Sequence, residues 1–146
     1  MRPRMIKIGT AAVALLAGGG FAVVSPSSTA VAFSSPPLFL DVSVQSPGTL
    51  VARGAAVSVP VIVTCNSQGA TVQLQVTERV GKKVATGNTY AQVGCTGGHE
   101  TVLITVPASA GQAFAKGSAF ATADIFGCTA NFVCGDETSS ATIRLK

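Results

Sequence analysis

The residues of this chain best equipped for chemistry are four cysteines, Cys65, Cys95, Cys128 and Cys134, and one histidine, His99. Cysteines at fixed spacings bind metal, act as nucleophiles or pair as disulfides, and their company separates these outcomes. Structural zinc uses a tight Cys-x2–4-Cys pair. Here the nearest pair is Cys128-x5-Cys134, and His99 follows Cys95 by four residues in GCTGGHE. That spacing is wrong for zinc, so we expect no metal and read His99 as an exposed loop residue. An even number of cysteines instead predicts two disulfides in an oxidising compartment.

Hydrolytic chemistry finds no better footing. Any Ser-His-Asp system would have to use His99, and neither a G-x-S-x-G elbow nor a G-x-x-x-x-G-K-[ST] phosphate loop is present. Asp124 and the Asp136-Glu137 pair are the carboxylates one might enlist. They stand beside predicted strands and turns, where such groups are usually solvated. No convergent constellation emerges. We therefore expect no catalytic residues, no cofactor and no enzymatic activity.

The compartment is set by residues 1–32. Arg2, Arg4 and Lys7 form a positive head, an apolar stretch runs from Ile8 to Val24, and Ala30-Val31-Ala32 offers a small-residue cleavage site. The apolar stretch contains Gly18-Gly19-Gly20 and falls short of the roughly 20 residues of a membrane span. It reads as a cleavable signal peptide, with a secreted mature chain starting at Phe33 and no membrane anchor after cleavage. Three of the ten basic residues leave with it and all six acidic ones stay, so the net charge falls from +4 to +1. The remaining basic cluster, Arg79, Lys82 and Lys83, suits a solvated turn. Nucleic acid is thereby excluded as a partner.

The cysteines must be positioned by the remaining 114 residues, enough for one domain. Residues 33–38, with Pro36-Pro37, read as a flexible lead to a single domain over 39–146. From there apolar and polar residues alternate with period two. Val57, Val59, Val61, Val63 and Cys65 share one face, while Ser58, Pro60, Ile62 and Thr64 share the other. Pro60 suggests an edge position or a bulge. Val72, Leu74 and Val76 repeat the pattern, and Asn66-Ser67-Gln68-Gly69 between the two blocks fits a hairpin. Further strands are predicted at Leu40–Val44, Thr49–Val51, Asn88–Val93, Thr101–Val106, Ser118–Phe126 and Ser139–Leu145. Seven or eight short strands without a helix predict an all-β, immunoglobulin-like antiparallel sandwich, with a closed β-barrel as the alternative.

Strand parity gathers the cysteines. If successive strands run antiparallel, Cys65, Cys95 and Cys128 end strands of one direction and Cys134 opens a return strand, so all four meet at one end. We favour Cys65–Cys95 with Cys128–Cys134, and Cys65–Cys128 stays geometrically open. In the chain-entropy picture the favoured bridges contribute roughly 3–4 and 2–3 kcal/mol.

The succession T-C at Cys65, V-x-L-x-V-T-x-R at Val72–Arg79, V-A-T-G at Val84–Gly87, V-x-C-T-G at Val93–Gly97 and a closing A-T-I-R-L resembles small exported β-sandwich proteins of high-GC Gram-positive bacteria. The resemblance implies secretion, two disulfides and an immunoglobulin-like fold, without an activity. The chain differs from true immunoglobulin domains in having no Trp and in carrying Phe126 where a corner Tyr would stand, two residues before Cys128.

What remains for function is the disulfide-rich end. A bridged Cys128–Cys134 would hold Asn131, Phe132 and Val133 in a short rigid loop, lowering the ordering cost of contacting a partner. The simpler reading folds Phe132 back over the sandwich end as a cap on the core, since a single aromatic in a loop is more often packing than recognition. We expect a binding module whose partner is an unknown protein or cell-envelope component. Two alternatives are a carrier using the space beside Ala119, Ala121 and Ala123, and a protease inhibitor using the clamped loop. The intact mass of protein recovered from culture medium is expected to begin at Phe33 and to lie four hydrogens below its reduced form. A mass that still includes residues 1–32 would remove the signal-peptide reading.

Overall fold

A computed structural model describes residues 36–109 and 111–146, so the predicted signal peptide and the first three residues of the lead lie outside the described residues. The alternating segments form eight antiparallel strands in two sheets, and the barrel is not closed. β3 (Ala56–Cys65) is the centre of the first sheet. It pairs with β6 (His99–Pro107) along one edge, and with β1 (Leu40–Val44) and β2 (Thr49–Val51), laid end to end, along the other. The second sheet has the order β5 (Lys83–Val93), β4 (Ala70–Val80), β7 (Gly117–Cys128), β8 (Cys134–Leu145).

Every predicted strand is present, most of them longer than the alternation alone indicated. Three local expectations are corrected. Asn66–Gly69 is not a hairpin, because β3 and β4 belong to different sheets and the chain crosses the sandwich there. Both strands carry apolar inward faces, and stacking them across the core buries both while leaving β4 free to pair with β5 and β7. His99 is exposed, yet it opens β6 rather than lying in a loop, since the ladder to β3 runs as far as Thr64.

The third correction concerns Pro60, which lies in the central strand. The Gln45 N–H donates to the Pro60 carbonyl at 2.9 Å. In an antiparallel ladder a residue's N–H and C=O point to the same side, so the nitrogen of Pro60 faces the gap between β1 and β2. Its missing donor is tolerated because the neighbouring strand is interrupted there.

That interruption carries the chain from one sheet toward the other. Gly48 makes a parallel bridge to Leu145 of β8, and the Lys146 N–H donates to its carbonyl at 3.1 Å. A side chain at Gly48 would meet Leu145 Cδ2 at 2.9 Å. At the opposite edge of the sandwich β5 approaches the end of β6. The Ser109 N–H donates to the Thr86 carbonyl at 2.7 Å.

Between the sheets the core is aliphatic. Val57, Val59, Val61 and Val63 of β3 are buried with Val72, Leu74 and Val76 of β4 and Ala119, Ala121 and Ala123 of β7, and Phe114 is the aromatic among the buried apolar residues. Full burial of each Val or Leu contributes about 1.5–3 kcal/mol. Buried Glu78 is satisfied by the Ala115 N–H, which donates to Oε2 at 2.8 Å.

A Cβ at Gly87 would lie 2.1 Å from the Pro107 carbonyl oxygen and 2.9 Å from Val106 Cγ1. Gly87→Ala is accordingly expected to cost about 1–3 kcal/mol, as overpacking does, read as a lower urea midpoint. An unchanged midpoint would show that the two sheet edges separate freely.

Candidate functional site

Alternation brings all four cysteines to one end. Cys65, the last residue of β3, is bonded to Cys95, which follows β5, with 5.0 Å between Cα atoms. Cys128 and Cys134 close β7 and open β8, stand opposite each other in register, and form the second bridge. The favoured pairing is the one present, and no described cysteine is free. Ser67 ties the two groups together. Its Oγ lies 2.9 Å from Cys95 Sγ, and the next residue, Gln68, donates its N–H to the Cys128 carbonyl at 3.3 Å. Both bridges belong to the chemistry of an oxidising compartment.

Beyond Cys128 the ladder continues for one more pair, the Thr129 N–H donating to the Val133 carbonyl at 2.9 Å. The Phe132 N–H donates to the Thr129 carbonyl at 3.0 Å, and the Val133 N–H to Thr129 Oγ1 at 3.3 Å. Ala130, Asn131 and Phe132 thus form a three-residue loop. Such loops place their last residue in the left-handed region, where glycine is the usual occupant. Phe132 occupies it instead, with φ of 60°, and is 90 % exposed. It does not cap the core. Val133 is exposed beside it, and Asn131 lines a depression of about 240 Å³ shared with Asn66–Gln68 and Pro36.

The other candidates are dispersed. His99 Nδ1 and Thr64 Oγ1 share a 2.7 Å hydrogen bond on the first sheet, whereas Asp124 and Asp136 lie on the second. Asp136 and Glu137, being consecutive in a strand, project to opposite faces. Asp124 Oδ1 accepts a hydrogen bond from the Thr138 hydroxyl. Among the described residues no three His, Cys, Asp or Glu side chains converge as a metal would require, and no helix is long and apolar enough to cross a membrane. Ala119, Ala121 and Ala123 are at most 2 % exposed, so the room they leave is filled by the opposing sheet and not by a ligand.

A second surface was not singled out from the sequence. The outward residues of β5, β4, β7 and β8 form rows across the sheet. Tyr90 lies opposite Gln73, which lies opposite Asp124. In the next row Thr71 stands between Gln92 and Phe126. Toward the other end Gln75 stands between Asn88 and Thr122, and Thr77 between Thr86 and Phe120. The aromatic side chains are well exposed, Tyr90 at 65 %, Phe126 at 52 % and Phe120 at 53 %. The signal was available, since the Gly81-Lys82 turn sets the β4–β5 register and alternation does the rest.

No protein-family model matches the chain, and no curated protein matches it.

A bulky residue in the left-handed region is strained by about 1–2 kcal/mol. Phe132→Gly relieves that strain and adds unfolded-chain entropy, leaving a net gain of about 0.5 kcal/mol in a urea melt. A less stable glycine variant would show that Phe132 makes a stabilising contact which outweighs its backbone strain.

Proposed function

We propose that this protein is a secreted, non-enzymatic interaction module that works at or outside the cell envelope, with the Cys128–Cys134 loop as its contact. The observation that carries the reading is Phe132, held outward in a backbone conformation unfavourable to it by a loop whose two ends are covalently joined. Strain maintained at an exposed position points to use of the side chain, since the fold would be as well served by glycine. Pre-ordering lowers the entropy lost on contact, and a single exposed aromatic on a rigid loop is the kind of anchor that dominates a small interface.

The division into two four-stranded sheets, in the first of which β1 and β2 share one edge of β3, supports reading the domain as immunoglobulin-like, of the sort found in small exported proteins of high-GC Gram-positive bacteria. Near-neutral charge after signal removal disfavours nucleic acid. The partner in this reading is a protein or a component of the envelope. The same exposed loop favours one second reading, a protease inhibitor in which Phe132 enters the enzyme's specificity pocket.

One pair of proteins separates these. The wild type is expected to co-sediment with the envelope fraction of the producing cells, and Phe132→Ala to bind it about thirtyfold more weakly, the equivalent of about 2 kcal/mol. Equal binding by the two would overturn the loop as contact. Inhibition of any member of a protease panel by the wild type, lost in Phe132→Ala, would establish the inhibitor reading in its place.

A further inference from the structure

The outward face of the β5–β4–β7–β8 sheet carries a second inference, which needs nothing of the loop reading. Thr71 and Gln73 form the floor of a shallow depression of about 300 Å³, with Tyr90 to one side, Phe126 to the other, and Asp124 and Asp136 at its rim. Two strand spacings and two residues of stagger separate the Cα atoms of Tyr90 and Phe126 by about 12 Å. Phe120 stands on the same face six residues away along β7, about 20 Å from Phe126 and off the line that joins Tyr90 to Phe126.

The arrangement selects among occupants. A protein interface concentrates its aromatic anchors in one desolvated cluster. Here amide and hydroxyl side chains separate the rings. Polyanions are disfavoured by two carboxylates with no cation among the lining residues of the depression. The next two rows, those of Gln75 and Thr77, carry no charge, and the row after them carries the exposed cations Arg79 and Arg144, so a purely cationic partner would find carboxylates only at the depression and meet repulsion at the far end of the face.

A neutral polysaccharide meets each feature. A pyranose ring presents an apolar C–H face that stacks on an exposed aromatic ring, and hydroxyls at its rim that both donate and accept. Amide side chains offer the matching pair of donor and acceptor, and carboxylates accept from hydroxyls in stronger, charge-assisted bonds. The hydroxyls of the face are partly engaged with one another, Thr122 with Ser140 at 3.0 Å, and Thr71 accepts from Gln92 at 2.9 Å. By contrast, among the described residues no hydrogen bond engages the side-chain amides of Gln73, Gln75 or Asn88. They line the centre of the face with capacity to spare. We infer that this sheet face binds an extended, uncharged polysaccharide, with Tyr90 and Phe126 as stacking platforms and the Gln73 amide and Asp124 carboxylate between them as hydrogen-bonding groups.

The chain supplies its own probe, because Tyr90 is its single tyrosine and it has no tryptophan. Intrinsic tyrosine emission of the purified protein therefore reports on this site alone. Titration with hydroxyethylcellulose is expected to change that emission saturably, and native gels containing the same polymer to retard the protein. Phe126→Ala and Gln73→Ala should each weaken both responses at least tenfold. Leu103→Ala, on the other sheet, should leave them unaltered. The inference is overturned by any of three results. One is the absence of a response to the neutral polymer. Another is a response to polygalacturonate or polylysine in its place. The last is emission that varies with protein concentration together with dimer sedimentation, which would put a second copy of the chain on this face. Phe126 is half exposed, and Gln73→Ala leaves the core untouched, so loss of binding in that variant is separable from loss of fold.

Discussion

The fold depends on one buried strand face. Val57, Val59, Val61, Val63 and Cys65 of β3 are at most 2 % exposed, and both edges of the strand are paired. Five consecutive inward positions fix the register of everything around them, because a slip of one residue would turn the whole set to solvent. The opposing sheet answers with small residues. Ala119, Ala121 and Ala123 take the inward positions of β7, beside Val72, Leu74 and Val76 of β4, so the two sheets approach without large aromatics between them. The core is thin and its rotamers are few, as β-branched side chains require.

Such a core leaves the ends of the sandwich to other forces, and here they are covalent. Cys65 ends the most buried strand and its bridge reaches past the second sheet's edge strand to Cys95. Cys128–Cys134 closes the hairpin of the two strands at the sheet's other side. Ser67 and Gln68 lie between the bridges, so the cross-over from β3 to β4 is held from both directions. The clamped loop therefore projects from the best-anchored end of the molecule. Among the described residues the opposite end has no disulfide, and it is held by the buried Phe114 side chain and by hydrogen bonds, among them the Ala115 N–H to Glu78 and the Phe114 N–H to the Gly54 carbonyl at 2.9 Å.

Strand positions were legible in the sequence because period-two alternation is a local property, readable without knowing which strand lies next to which. The gathering of the cysteines was legible too, since it needs only strand direction. Neighbour relations were harder. Asn66–Gly69 has the composition of a hairpin turn, and only the competition of β5 and β7 for the edges of β4 sends the chain across the core instead. Pro60 argued for an edge, and what it marks is a gap in the adjacent strand, a fact about β1 and β2 that no property of β3 contains. Phe132 carried the opposite difficulty. Its apolar side chain suggested packing, and its exposure follows from the loop's length and hydrogen bonds, which put the third residue in the left-handed region whatever its type. Tyr90 and Phe126 were overlooked because each is ordinary alone. Their relation exists only once β4 is placed between β5 and β7.

The two outward faces of the sandwich are not alike, and that asymmetry bears on function. On the first sheet the outward residues of the central strand are largely covered. Ser58 and Thr64 are buried, the former sharing a 2.7 Å hydrogen bond with Thr105 and the latter bonded to His99. On the second sheet the central strands present amides, hydroxyls and carboxylates, with three large aromatic rings left in water. Folding gains nothing from exposing those rings, since threonine or glutamine would keep the strand and remove the apolar surface. Alternation also sets Cys128 and Cys134 on this same face, one row beyond Phe126 and Asp136. The disulfide is thus a common border between the aromatic face and the loop that carries Phe132. Surface chemistry that does not serve stability is concentrated on one side and one end, and both adjoin the disulfide-bonded end of the sandwich.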